Sequence, residues 1–153
     1  IGNYFLAECI AFNKSITLPS TLTNIGTYFM NKCYAFNKSL TIPANCTVGA
    51  YLLTGSRFSS DENGMSFAQT LTLSAGCSIG GALLSFLRNT ISPTIVCNTE
   101  VSNITTSTYS FLFNTSVPYP TGRFLVSGTY ANELLAAFPN GSYNYGVREM
   151  TLA

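Results

Sequence analysis

IGNYFLAECIAFNKSITLPSTLTN, residues 1–24, is followed by IGTYFMNKCYAFNKSLTIPANCTV, residues 25–48. Cys9 recurs as Cys33, Phe12 as Phe36, Lys14 as Lys38 and Pro19 as Pro43, each 24 residues on. A fixed period of this size marks a repeat architecture, in which each unit stacks on its neighbour to bury one continuous core. The repeat then continues in worn form. SFAQTLTLSAGC (66–77) lies over AFNKSLTIPANC (35–46) at an offset of 31, so extra residues enter around Thr54–Gly64. TIVCNTEV (94–101) lies over TLTLSAGC (70–77), with the offset back at 24. FLVS (124–127) takes the same phase at an offset of 29.

Within each unit, apolar and hydroxyl residues alternate with period two. That alternation predicts one short strand per coil: Ser15–Leu18, Ser39–Ile42, Thr70–Leu73, Thr94–Cys97 and Arg123–Val126. Thr and Ile suit a pleated, half-buried surface. Successive coils run the same way, so the sheet is expected to be parallel, with the rest of each coil as its crossover. One core column runs Leu18, Ile42, Leu73, Cys97, Val126; a second runs Leu22, Cys46, Cys77, Val101. The entry column is Ile1, Ile25, Val48, Ile79, Ile104, and Gly follows all but the last. YFLAEC and YFMNKC are too short for long helices and are expected to form an irregular or 3₁₀-like turn.

Residues 104–153 read differently. VPYPTG (117–122) is a Pro-Gly connector. In GTYANELLAAFPNG, Tyr130, Leu134 and Phe138 share one helical face; Thr129 caps the start and Pro139-Asn140-Gly141 stops it. A final strand is expected over 147–152. Phe111, Phe113, Phe124 and Phe138 are expected inside, and Tyr119, Tyr143 and Tyr145 outside.

Composition narrows the function classes. Charged residues are 8% of the chain, against roughly 25% in an ordinary soluble domain. Net charge is +1 and the basic residues are scattered singly, which argues against nucleic acid or an anionic membrane as partner. The longest apolar stretch, Ile79–Leu87, is about half the roughly 20 residues a membrane span needs. There is no His, hence no imidazole base and no His metal ligand. Asp61 and Glu62 are the adjacent acids; with Asn63 they offer oxygen ligands for a weak Ca²⁺ site, and the plainer reading is a solvated loop tip. The five cysteines lack CxxC spacing, and four fall at core phases, so they read as small buried apolar residues. No cofactor, metal or catalytic constellation is indicated. The sequons at Asn13, Asn37, Asn45, Asn103, Asn114 and Asn140 matter only in a eukaryotic secretory setting.

The surface offers two places for recognition. Outward strand positions stack as Ser15, Ser39, Thr70, Thr94, Arg123, and beside them Thr17, Thr41, Thr72, Val96, Leu125. A hydroxyl ladder suits a glycan or an extended peptide; equally, Thr is simply a good exposed strand residue. The insertions Thr54–Gly64 and Tyr109–Gly122, with Arg57, Asp61, Glu62 and Tyr119, are the candidate binding loops.

The Ile-Gly entry, the aromatic, Cys9 and Cys33, Phe12 and Phe36, and the xLTIP strand with its Thr-rich exit together resemble the BspA-type leucine-rich repeats. The resemblance covers 1–48 strongly and 49–103 moderately; Ser74 and Asn98 stand where Pro is usual. It implies a repeat β-solenoid: a right-handed leucine-rich-repeat coil of about 24 residues with a helix-containing C-terminal cap. It implies one domain, with coils over 1–103 and a degenerate last coil and cap over 104–153. It implies an extracellular scaffold, on a bacterial cell surface or in a phage virion. The function expected on that basis is non-enzymatic adhesion, binding glycan or protein. The alternative is a purely structural segment of a larger assembly, such as a phage tail or head fibre.

The chain opens at Ile1, in mid-pattern and without Met, and reads as a processed protein or a piece of a longer one. The first repeat is the most regular. Its Ile1, Phe5, Ile16 and Leu18 face water on one side, so further repeats upstream or a partner subunit are expected to cover this end.

Overall fold

The computed structural model describes residues 1–55, 64–85, 87–88, 90–104, 122–137 and 150–153. Two parallel sheets carry the fold. The larger has five strands in the order β2–β4–β6–β7–β8: Leu40–Ile42, Thr70–Leu73, Thr94–Cys97, Phe124–Ser127 and Met150–Leu152. The smaller has three, β1–β3–β5: Asn24–Ile25, Thr47–Val48 and Ser78–Ile79, and a bridge from Ile79 to Ile104 extends it. One helix, α1 (Ala131–Ala137), packs against β6, β7 and β8. Among the described residues, no helix is long and apolar enough to cross a membrane.

Alternation sets the burial. Leu40 and Ile42 are buried on either side of exposed Thr41, and Leu71, Leu73, Ile95 and Cys97 repeat the pattern. The core also takes Ile25, Val48 and Ile79 from the small sheet, and a column of phenylalanines. Phe12, Phe36 and Phe67 stack with ring centroids 6.0 Å apart at each step. Burying such rings supplies most of the apolar driving force, and their stacking adds to it.

The expected leucine-rich-repeat solenoid with one strand per coil and a terminal cap is corrected: the described residues form a small α/β fold with two parallel sheets and one α-helix. Four differences carry the correction. First, the Ile-Gly entries pair in register, Asn24 with Thr47 and Val48 with Ile79, and make a second sheet. Second, Ser15–Leu18 is not a strand, although Ser-Ile-Thr-Leu is nearly the wording of Ser39–Ile42. Ile16 and Leu18 are only half-buried where Leu40 and Ile42 are buried, so pairing there gains less apolar burial to offset roughly 1–2 kcal/mol per residue of backbone ordering. Third, β8 joins the sheet beside β7 in parallel, Phe124 opposite Met150, so α1 is a crossover between two strands and not an end cap. Fourth, β7 is displaced by two residues from the expected column: Val126 faces Ile95, not Cys97, and Leu125 faces Thr94, not Val96. The two-residue shift preserves which side chains point inward, so Phe124 and Val126 remain buried.

The YFLAEC and YFMNKC segments hold the least expected backbone. Tyr4, Leu6 and Glu8, then Tyr28, Met30 and Lys32, then Tyr51 and Leu53, then Ala82 and Leu84 all have positive φ. Such residues cost of order 1 kcal/mol each in the left-handed region. Hydrogen bonds between repeats offset it: Tyr4 N–H donates to Thr27 O (2.8 Å), Met30 N–H to Phe5 O (3.0 Å), Lys32 N–H to Thr54 O (2.7 Å) and Leu84 N–H to Leu52 O (3.1 Å). The irregular turn expected here is thus a third ladder of hydrogen bonds between repeats. Asparagines tie further layers. Asn13 Oδ1 accepts from Asn37 N–H and Asn37 Oδ1 from Ala68 N–H, both at 2.9 Å. The glycine after each entry strand is required by close approach: a Cβ on Gly49 would lie 2.7 Å from Thr27 N and 2.8 Å from Gly26 C.

Candidate binding groove

β2 is the outer strand of the five-stranded sheet at the end nearer residue 1. Its length follows from its sequence: Leu40 and Ile42 anchor inward, and Pro43 stops pairing at the next residue. In a parallel pair, each residue turns both its backbone groups to one side, and neighbours alternate. Ser74 N–H donates to Ile42 O (3.3 Å), so Leu40 and Ile42 turn theirs to β4. Ser39 and Thr41 therefore turn theirs the other way, toward Ser15–Leu18. Among the described residues, no backbone hydrogen bond crosses from Ser15–Leu18 to Ser39–Ile42. The first repeat is tied to the second before and after this point, at Ala35 N–H to Ile10 O (3.1 Å) and Thr47 N–H to Thr23 O (2.9 Å).

The result is an open groove of about 370 Å³. Hydroxyls of Thr17, Ser20, Ser39, Thr41 and Ser74 line it, with Ile16, Leu18, Pro43 and Ala44 as apolar walls. None of these side chains is charged. Its size lies at the lower end of ligand-binding clefts. Three of the face residues expected from sequence, Thr17, Ser39 and Thr41, meet here, and exposed Ser15 belongs to the same unpaired segment. Thr41 sits beside Thr72, and Thr70 beside Thr94, so the hydroxyl ladder continues across the sheet with half-buried side chains. It ends at β6, because Leu125 and not Arg123 stands next to Thr94. Arg57, Asp61, Glu62 and Tyr119, the candidate loop residues, lie outside the described residues, as do Phe111, Phe113, Phe138, Tyr143 and Tyr145.

A second cleft, of about 600 Å³, was not anticipated. Tyr4 and Tyr28 stack at 4.8 Å and Tyr28 and Tyr51 at 4.6 Å, nearly parallel, and Tyr4, Tyr28, Glu8, Asn31 and Lys32 line the space beside them. The spacing of Tyr4 and Tyr28 by one repeat was the available signal. Lys32 Nζ donates to Glu8 Oε1 at 2.6 Å. That hydrogen bond holds the Glu8 carboxyl below its ordinary range and raises Lys32. The pair is exposed, so water and salt screen it heavily.

The cysteines are free thiols; four are buried and Cys9 is half-buried. Burial pushes the Cys33 and Cys77 thiols up to about 11, and raises Cys46 and Cys97. All four are therefore protonated near neutral pH and poor nucleophiles. Among the described residues, no group of three His, Cys, Asp or Glu side chains is placed to hold a metal ion.

No family model, no curated protein and no solved structure was found to match the chain.

Proposed function

We propose that this chain is a non-enzymatic binding module whose recognition surface is the groove at the outer edge of β2. The observation that carries the reading is the groove itself: uncharged, lined by five hydroxyls, and bordered by a strand whose outward backbone groups meet no backbone partner among the described residues. Neutral hydroxyls with apolar walls suit a neutral glycan or an uncharged stretch of protein, and do not suit a strongly charged ligand. Display on a bacterial surface or a virion belongs to the same proposal, supported by the repeat wording of residues 1–48.

The test is a binding screen on immobilised neutral glycans and uncharged peptides. It compares the unmodified chain with Thr41→Lys, which places a charge in the groove without touching the core. Ligands retained by the first and lost by the second support the reading. Equal retention, or no ligand at all, rejects it.

One observation favours the second reading, a structural segment of a larger assembly. Tyr4 (63% exposed), Phe5 (49%) and Ile10 (61%) present large apolar surface on the first repeat. Sedimentation of the chain against Tyr4→Ser/Phe5→Ser separates the two. Self-association that this double substitution removes supports the assembly reading.

A further inference from the structure

We infer that the groove takes an extended, uncharged peptide strand of a partner protein, which pairs with β2 and adds a strand to the five-stranded sheet. The inference rests on the groove being the binding site and goes further in naming what it binds. Its basis is the backbone. Thr41 offers one N–H and one C=O toward the groove, and neither meets a backbone partner among the described residues. Thr41 is exposed, and an open strand edge with free main-chain groups is a template for pairing with another chain. The rest of the sheet shows what pairing here looks like: β4, β6, β7 and β8 each add in parallel at one edge of the strand before. An incoming strand would repeat that geometry on the opposite edge. Its alternate side chains would meet the apolar wall of Ile16 and Leu18 on one side and the hydroxyls of Thr17 and Thr41 on the other. The lining carries no charge, so a charged residue in the middle of the strand would lose hydration without a counter-ion.

A glycan would be held by side-chain hydroxyls, and a strand by main-chain groups; substitutions at Thr41 separate them. Thr41→Val removes the hydroxyl and keeps the N–H. Thr41→Pro removes the N–H, at an edge position where the sheet itself does not use it and Pro is tolerated. The probes are uncharged heptapeptides selected from a display library against the unmodified chain, together with the acetylated, amidated peptide of residues 69–74, QTLTLS. Strand addition predicts that Thr41→Val binds the peptides within about threefold of the unmodified chain and that Thr41→Pro binds at least tenfold more weakly. In the unmodified chain, the Thr41 amide resonance should move downfield on peptide addition, a readout that needs no variant to fold.

Equal peptide binding by Thr41→Pro, or an unmoved Thr41 amide, overturns the inference. Loss in Thr41→Val equal to that in Thr41→Pro, with neutral glycans bound, overturns strand addition and leaves the groove as the site. Self-association that Thr41→Pro removes assigns the edge to a second copy and also overturns it. If neither peptides nor glycans bind, the groove reading itself is wrong.

Discussion

Truncating Phe36 to Ala probes the phenylalanine column at its middle. Phe36 is fully buried, and its ring lies 6.0 Å from Phe12 on one side and 6.0 Å from Phe67 on the other, at 13° and 10°. Removing a buried Phe side chain costs about 3–5 kcal/mol, from lost transfer free energy and the cavity left behind. Both neighbours here are rings that lose a stacking partner, so the upper half of that range is expected, about 4–5 kcal/mol. Phe12→Ala supplies the internal comparison. That ring is half-buried and, among the described residues, stacks on Phe36 and no second ring, so about 2 kcal/mol is expected. Urea unfolding followed by circular dichroism measures both. The double variant should cost less than the sum by about 0.5–1.5 kcal/mol, the coupling of adjacent rings. If Phe36→Ala costs no more than Phe12→Ala, or the two are additive, the rings do not form a stacked column and the reasoning fails.

Three further outcomes are expected. Gly49→Ala should destabilise by about 1–3 kcal/mol in urea unfolding, because its Cβ would meet backbone atoms of Gly26 and Thr27 that cannot swing aside. Asn37→Ala should cost about 0.5–1 kcal/mol by removing the acceptor of an exposed hydrogen bond from Ala68 N–H, while Asn37→Asp, which keeps an oxygen there, should cost less. Stability should fall at alkaline pH. The folded-state values of Cys33 and Cys77 lie near 11, above the 9.0 of an exposed thiol, so their contribution is complete below pH 9 and is lost as pH rises to about 11, by roughly 3 kcal/mol each. Unfolding midpoints between pH 7 and 11 measure this, and a flat profile contradicts the burial argument.

The parts of the fold that rest on long-range repetition were legible, and those that rest on local backbone choice were not. Thr70–Leu73 and Thr94–Cys97 could be placed residue for residue, because their alternation and their 24-residue offset agree. The column Ile25, Val48, Ile79, Ile104 was visible too. That it forms a second sheet was not, since two-residue strands are too short to show a period of two. The left-handed backbone at Tyr4, Leu6 and Glu8 leaves no trace in residue type: these are not the Gly, Asn or Asp that usually mark it. Much of the groove was foreshadowed, since Thr17, Ser39 and Thr41 stood out as stacked hydroxyls. What makes it a groove was hidden. Ser15–Leu18 and Ser39–Ile42 are nearly the same four letters, yet Leu40 and Ile42 are buried while Ile16 and Leu18 are only half-buried. In a repeat, that difference lies in position along the array rather than in local sequence.

Native-state amide exchange at β2 tests the central claim most directly. Leu40 and Ile42 turn their N–H groups to β4, and Thr41 turns its own to the open groove. The account predicts that in the unliganded chain the Thr41 amide exchanges at least a hundredfold faster than those of Leu40 and Ile42. Protection of Thr41 equal to that of its two neighbours would mean that Ser15–Leu18 already occupies the edge, and that there is no site for a partner strand.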